Sequence, residues 1–256
     1  METSTNSNAC KYTISIIIPT FLEEKLLGNL LAQFNSNLKS KYALEIIVSD
    51  GGSNDKTIPI ATQFADRVVM HQLDTPQNIS QGRNNGASVA TGNVLAFLNA
   101  DCMPADINVF LQSIYDWAND ETDNRTDAIA CKVRAFPDEE RAKDRLFYFL
   151  HNDYVRLLNA IGVGMGRGEC QIVRRNVFQN VAGYNPMLVA GEDFDLYRRI
   201  VKSGGKIKFA RNIIIYESPR RFRKYGYLRT LWYWTINSIT VILWNKSTSK
   251  VWEAVR

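Results

Sequence analysis

Apolar residues along the chain follow two rhythms. Ser15–Ile18, Leu44–Ser49, Arg67–His71 and Val94–Leu98 are short apolar runs of strand length. Pro19 ends the first, the turn cluster Asp50-Gly51-Gly52-Ser53 ends the second, and Asn99-Ala100-Asp101 ends the fourth. Between the runs the period lengthens. Leu22–Asn35 carries apolar residues at 26, 27, 30, 31 and 34, a helical stripe. A helix is expected over Asp55–Ala65, with Pro59 delaying its start to near Thr57. A third is expected over Ser80–Ala90, with Ser80 as its N-cap and Gly92 as its stop.

The second half is less regular. Helices are predicted at Ile107–Trp117, at Arg141–Ile161, whose aromatics read as core, and at Glu192–Lys202, where Phe194, Tyr197, Ile200 and Val201 share one face and Gly204-Gly205 follow. Ala128–Val133 and Cys170–Val173 read as strands, and Lys206–Tyr216 as a strand or hairpin. Gly162–Gly168, with glycine at every second position, reads as a mobile loop over a cleft. Its order and its place after a helix do not match a dinucleotide-binding loop.

Strands alternating with helices imply βαβ units and an α/β fold with a parallel sheet. Right-handed crossovers then bring Pro19, Asp50 and Asn99 to one rim, the edge at which open α/β sheets bind ligands.

Composition narrows the picture. The 256 residues suffice for one large domain with a full core. The polar start of the chain, Met1–Lys11, has no signal-peptide core and reads as a frayed tail. Cys10, Cys102, Cys131 and Cys170 have no zinc-like spacing and read as free thiols of a reducing compartment. With two histidines, His71 and His151, a histidine-rich metal site is not expected. Charge is unevenly spread: residues 219–256 hold eight basic residues and one acid, and the rest 23 basic against 25 acidic. Such asymmetry points to an anionic partner for the tail.

Several polar groups at the expected rim carry candidate chemistry. Asn99 and Asp101 stand at alternate positions and can present two oxygens to a hard cation. Asp50 can accept from a base N–H or a ribose hydroxyl, with Gly51 and Gly52 permitting close approach. Phe21 can lie against a base that Glu23 hydrogen-bonds, and Arg83 can neutralise phosphate. Glu192 and Asp193 open a helix whose N-terminal potential keeps a general base ionised. Each has a plain alternative as a turn, a helix cap, a surface arginine or first-turn acidic decoration.

Taken in order, PTFLE, VSDGGSND, GRNNGA, FLNADCMP and GEDFDLYRRIVKSGG resemble family-2 glycosyltransferases of the GT-A fold, from Ile14 to about Gly226. The resemblance implies a Rossmann-like, mostly parallel central sheet flanked by helices over 12–218, followed by a basic, aromatic C-terminal helical extension over 219–256. It implies a nucleoside-diphosphate-sugar donor, UDP-sugar favoured and GDP-sugar open. Thr20, Glu23 and Asp50 would surround the nucleoside, beside Pro19, Phe21 and Gly51. Arg83 would lie near the diphosphate or the donor sugar. Asp101 matches the metal-binding aspartate of the DXD element, whose first two positions are Asn99 and Ala100 here, and Mg²⁺ or Mn²⁺ is the implied cofactor. Asp193 falls at the base position of an inverting single displacement, next to Glu192.

Three departures stand out. Leu22 replaces an asparagine frequent in the family, and Asn99 brings no charge. Where many members have a metal-binding histidine the chain has Glu217-Ser218-Pro219-Arg220-Arg221, so Glu217 is the candidate third ligand and Arg220 and Arg221 are candidate diphosphate partners. The acceptor would be a glycan or a lipid-linked molecule. Two other readings remain open at this point. One is a nucleotide-sugar-binding protein with a decayed site. The other is a nucleotidyltransferase, although PTFLEEK lacks that class's Gly-rich phosphate loop and lysine.

The tail adds a partner. Thr230–Trp244 has no charge, and as a helix its ~22 Å falls short of a ~30 Å hydrocarbon core. Its aromatics and cationic flanks suit a helix lying on an anionic membrane surface, against a packed helix or a homodimer contact as the alternative. The expected location is cytoplasmic, peripheral on the cytoplasmic face of a membrane, with no nucleic-acid partner.

Overall fold

A computed structural model describes residues 13–72, 77–120 and 126–244. The N-terminal tail with Cys10 and the basic residues beyond Trp244 lie outside the described residues.

The strand-like runs form the centre. β1 (Ile14–Thr20), β2 (Leu44–Asp50) and β4 (Val94–Leu98) are almost wholly buried. Unbroken burial without alternation is what a strand covered on both faces requires. Successive residues still serve opposite layers. Ile16, Ile18, Ile46 and Val48 join one core, beneath α1 (Leu27–Leu31), α3 (Thr57–Phe64) and α5 (Ile107–Asn119). Ile17, Ile47, Leu95 and Phe97 join the other. That second layer is covered by α4 (Ile79–Val89), α7 (Arg175–Asn180) and α8 (Glu192–Lys202). Gly86 lets α4 lie flat on β1: a Cβ there would stand 2.4 Å from Ile17 Cγ2.

The remaining elements are α2 (Ser36–Lys41), β3 (Arg67–Met70), β5 (Met103–Pro104), β6 (Ala128–Ala135), α6 (Ala142–Ala160), β7 (Cys170–Arg174), β8 (Ile207–Glu217), α9 (Arg220–Tyr225) and α10 (Tyr227–Trp244). The eight strands form one sheet in the order β3-β2-β1-β4-β7-β6-β8-β5. β1 pairs in parallel with β2 and β4, β2 with β3, and β6 with β8, while β7 runs antiparallel to both β4 and β6, and β5 to β8. Six strands therefore point one way, and the carboxyl ends of β1, β2, β4 and β8 share a rim with the start of β7.

Two helix expectations change and one holds. The stripe over Leu22–Asn35 is helical only at Leu27–Leu31, because Leu22 is left-handed (φ 56°). Its N–H donates to Ser53 Oγ and that of Glu23 to Thr57 Oγ1, tying this segment to the turn after β2. The N-cap of α4 is Asn78, in a capping box with Gln81, while Ser80 donates to the Leu188 carbonyl. The helix after β2 does begin at Thr57, as Pro59 requires.

Gly162–Gly168 is not a loose cover. A Cβ at Gly164 would stand 2.6 Å from the Tyr197 carbonyl oxygen, and one at Gly166 2.4 Å from Gln171 Nε2, so the glycines press the loop onto α8 and β7. Asn159 clamps Met165 through both backbone groups.

Residues 219–244 are packed on the body. Phe222, Tyr227 and Trp234 meet Phe147 and His151 of α6, and Val241 packs with Leu188 and Phe194. Burial drives the His151 imidazole down to about 3, so it stays neutral in this contact. Among the described residues no helix is long and apolar enough to cross a membrane.

Candidate active site

The rim is assembled from chain segments far apart in sequence. After β2, the carboxylate of Asp50 folds its own turn. Oδ1 accepts from the N–H groups of Gly52 and Ser53, and Oδ2 from the hydroxyls of Ser53 and Thr20. Asp50 is fully buried. The expectation that it meets a nucleoside directly is thus not met by its geometry, because both oxygens already hold the β1 and β2 loops together. Phe21 is exposed and Glu23 half-buried at the same place, and Gly51 lies against Gln77. Pro19 and Thr20 complete this corner at the end of β1.

Arg83 departs further. Fully buried on α4, it is an internal node and not a surface phosphate ligand. Nη1 donates to Glu192 Oε1 at 2.8 Å, and Nη2 donates to Asn99 Oδ1 at 3.1 Å and to the Gly168 carbonyl at 2.7 Å. Its guanidinium also lies over the Tyr184 ring, 5.1 Å from the centroid. One planar, five-donor group therefore joins α4, the turn after β4, the glycine loop and the start of α8. Neighbouring Asn84 grips the Tyr184 backbone from the same helix. Glu192, expected beside the base, is the buried counter-charge of Arg83.

Asp193 is the free member of that pair of acids. It sits half-buried in the first turn of α8, where its Oδ1 accepts from the Phe194 N–H. Gln171 Nε2 donates to its carbonyl, and Tyr184 Oη donates to Gln171 Oε1. Burial, reinforced by the adjacent Glu192 carboxylate, raises Asp193 to about 7. The helix terminus was expected to keep this group ionised. The Phe194 N–H and Arg83 do pull that way, but desolvation outweighs them. A carboxylate near neutrality is poised to take a proton and give it up again.

Across the node from Asp193, Asp101 projects from the turn after β4 with 40% of its side chain exposed. Arg220 Nη2 lies 3.3 Å from its Oδ2, and buried Cys102 Sγ 3.6 Å from Oδ1. Ala100 is buried beneath. Arg221 follows Arg220 at the start of α9 and is half-buried, and burial lowers its pKa.

Glu217, at the end of β8, faces Arg167 instead. Arg167 is buried and donates through Nη2 to Glu169 Oε1 (2.7 Å) and Glu217 Oε1 (2.8 Å). Two carboxylates share one cation. Burial opposes ionisation of Glu169, but Arg167 wins and holds it down to about 2. Burial and the charge on Glu169 push Glu217 well above the usual range. Glu217 is committed to Arg167, which donates to its Oε1 while also holding Glu169, so the expected third-ligand role does not fit. The Asn99 oxygen is likewise turned to Arg83. Among the described residues no group of three His, Cys, Asp or Glu side chains is placed to hold a metal. What remains fits a cation held by one protein carboxylate, Asp101, with its other ligands supplied by a bound diphosphate.

Arg167 and Tyr184 were missed in the sequence. A charged residue inside an alternating-glycine loop, two positions before Glu169, was the available signal for the first; Tyr184 had none.

The chain matches the model of the family described as glycosyl transferase family 2 over residues 15–182. Glycosyltransferase AglE of Haloferax volcanii is 26% identical over 213 residues, covering 82% of this chain and 68% of that protein. The mannosyltransferase PcManGT from Pyrobaculum calidifontis, solved with GDP-Man and Mn²⁺, superposes with a TM-score of 0.62 at 17% identity over 80% of this chain and 56% of its own. Glucosyl-3-phosphoglycerate synthase from Mycobacterium tuberculosis, solved with Mn²⁺, UDP and glucosyl-3-phosphoglycerate, gives 0.60 at 15% identity over 91% and 79%. The chain therefore spans between about half and four-fifths of these proteins.

Proposed function

The chain belongs to glycosyltransferase family 2, and from that premise we propose that it moves a sugar from a nucleoside-diphosphate-sugar to an acceptor hydroxyl or lipid phosphate by inverting single displacement. The observation that carries this reading is Asp193, a carboxylate raised to about 7 at the start of α8 and held by the Arg83 node to the turn bearing Asp101. Asp193 takes the acceptor proton as the oxygen attacks the anomeric carbon. Arg220 and Arg221 face the negative charge that develops on the departing diphosphate, and such preorganised charge is commonly the largest contribution to rate. A divalent cation, Mg²⁺ or Mn²⁺, supplies Lewis-acid charge to the same leaving group when bound. Asp101 would hold it, releasing Arg220 toward the phosphates. Arg83 and Glu192 are positioning residues that fix the height of Asp193 over the cleft.

UDP-sugar is the favoured donor, since the corner of Phe21, Glu23 and Gly51 offers an exposed ring and half-buried polar groups for a base. GDP-Man is bound by PcManGT, and GDP-sugar is the second candidate. The acceptor we favour is lipid-linked, reached by a protein sitting peripherally on the cytoplasmic face of a membrane through the region 219–256. Thermal shift with UDP, GDP and their sugar conjugates, with and without Mn²⁺, tests the donor. Stabilisation by one nucleoside diphosphate that deepens with Mn²⁺ is expected, and Asp101→Ala should abolish the metal-dependent part alone. Tight donor binding with neither hydrolysis nor transfer would instead indicate a decayed site that only binds sugar nucleotides.

A further inference from the structure

Helix α6 is apolar on both sides. Its inner side, Phe147, Tyr148, His151 and Val155, is buried. Its outer side carries Leu146, Phe149, Leu150, Tyr154, Leu157 and Ile161, each between 52% and 64% exposed. These positions recur at three- and four-residue spacing, so they form one continuous stripe along the helix. The sequence suggested that these aromatics belong to the core, and only half of them do. Soluble surfaces scatter such residues singly, and a contiguous stripe marks an interaction surface. Helix α10 has exposed apolar residues of its own: Leu228 and Trp232 are 84% and 65% exposed, and Tyr233 is 50% exposed. The two helices are joined by Phe147 on Tyr227 (5.2 Å) and His151 on Trp234 (5.4 Å).

We propose that the outer face of α6, together with α10, docks the protein on an anionic membrane surface. In purpose this rests on the lipid-linked acceptor proposed above; in observation it rests on the surface alone. Charge favours this occupant. Helices α6, α9 and α10 together carry eight basic residues and two acids. Four of the eight basic residues are ion-paired, Arg223 with Asp144, Arg156 with Asp153, Arg145 with Glu140 and Arg220 with Asp101, and both acids are used in these pairs. The turn before α6 adds Asp138, Glu139 and Glu140, but Glu140 is paired with Arg134 and Arg145, and Glu139 accepts from Ser218. Lys143, Lys224 and Arg229 are exposed around the stripe. Among the described residues neither helix is long and apolar enough to cross a bilayer, and an apolar stripe with tryptophan, tyrosine and a cationic border suits a helix lying in the headgroup layer. The geometry also puts the membrane near the chemistry, since Tyr148 of α6 lies under Arg167 and α9 begins with Arg220 at the rim.

Co-sedimentation of the full chain with vesicles of phosphatidylcholine, with and without phosphatidylglycerol, tests this. Binding should require phosphatidylglycerol and weaken with salt. Phe149→Ser/Leu150→Ser/Leu157→Ser and Lys143→Glu/Arg156→Glu/Arg229→Glu should each reduce it by about tenfold or more. Nucleoside diphosphate titration of the same variants in solution should be unchanged, and it reports on the donor-site reading independently. Wild-type vesicle binding by the triple-serine variant overturns the proposal. So does loss of binding on removing residues 245–256 alone. A dimer in sedimentation velocity that ignores vesicles and dissociates in the triple-serine variant would assign the stripe to a second copy of the chain.

Discussion

Replacing Asp193 by Asn separates its chemistry from its environment. The group is raised from 3.8 to about 7 in the folded chain, first by burial and then by Glu192. A carboxylate whose folded pKa lies above its unfolded value destabilises the fold when it ionises. The cost is absent below the unfolded value, where both states are protonated, grows with pH, and is complete above about 7. A shift of that size corresponds to at most about 4 kcal/mol. Partial exposure of the side chain to water brings this to about 1–2 kcal/mol. For a chain of this length ~1 kcal/mol moves Tm by ~2–4 °C, so Asp193→Asn should raise Tm by roughly 2–8 °C at pH 8 and by nearly nothing at pH 4. Transfer should fall ~10²–10⁴-fold, the usual worth of a general base, while donor binding is kept. In the wild type, kcat/KM should climb with loss of one proton near pH 7 and level off above it, dropping about a hundredfold two pH units below that midpoint. Tm by scanning fluorimetry and initial rates across pH 4–9 measure both arms. A pH-independent rate together with an Asn variant no more stable at pH 8 would refute the raised carboxylate. Full turnover in Asp193→Asn with loss in Glu192→Gln would move the base one residue back.

Other substitutions probe the supports of the site. Arg83→Ala leaves Glu192 buried without its cation and should cost about 3–5 kcal/mol in chemical denaturation; Arg83→Lys should recover little, since one ammonium cannot reach three acceptors set by a planar fork. Glu169→Gln removes the counter-charge that Arg167 keeps ionised and should cost more in the same measurement than Glu217→Gln, because burial and the charge on Glu169 push the Glu217 carboxyl toward its neutral form. Gly164→Ala adds a Cβ 2.6 Å from the Tyr197 carbonyl at φ +83° and should cost about 1–3 kcal/mol, read as an earlier denaturant midpoint with an unchanged m-value. Asn99→Asp adds charge beside Asp101 while keeping an oxygen acceptor for Arg83, so Mn²⁺ affinity, read by titration, should rise.

What was legible in the sequence is what local chemistry determines. Runs such as Val94–Leu98 have one comfortable burial, and Pro19, Asp50 and Asn99 must then meet at a rim because the strands before them point the same way. The DGGS turn and the GED helix start were visible for the same reason. Direction within the rim was not. Whether Arg83 faces outward to phosphate or inward to Glu192 depends on a carboxylate 109 residues away. Glu217 looked like a ligand because it stands where many family members have a histidine, and Arg167, which engages it, sits in a loop that glycine content made look loose. Asp50 looked available because nothing in DGGS announces that four donors already converge on it. The outer stripe of α6 escaped because apolar spacing says that a face is buried without saying in what.

The antiparallel β7 between β4 and β6 has a consequence for synthesis. β4 finds its outer partner only when residues 170–174 appear, roughly seventy residues after Leu98. At ribosomal rates of about 5–20 residues per second the nascent chain holds an open, apolar VLAFL edge for roughly 4–14 s. Such an edge is a template for pairing with another chain. Nascent chains ending between Leu98 and Cys170 should therefore depend on a holding chaperone for their solubility, and that dependence should fall once Arg174 is included and again once β8 covers the other edge of β6. The strand that covers the β4 edge also leads from Gly168, on the Arg83 node, toward α8, so that edge is covered just as the chain begins to acquire its base.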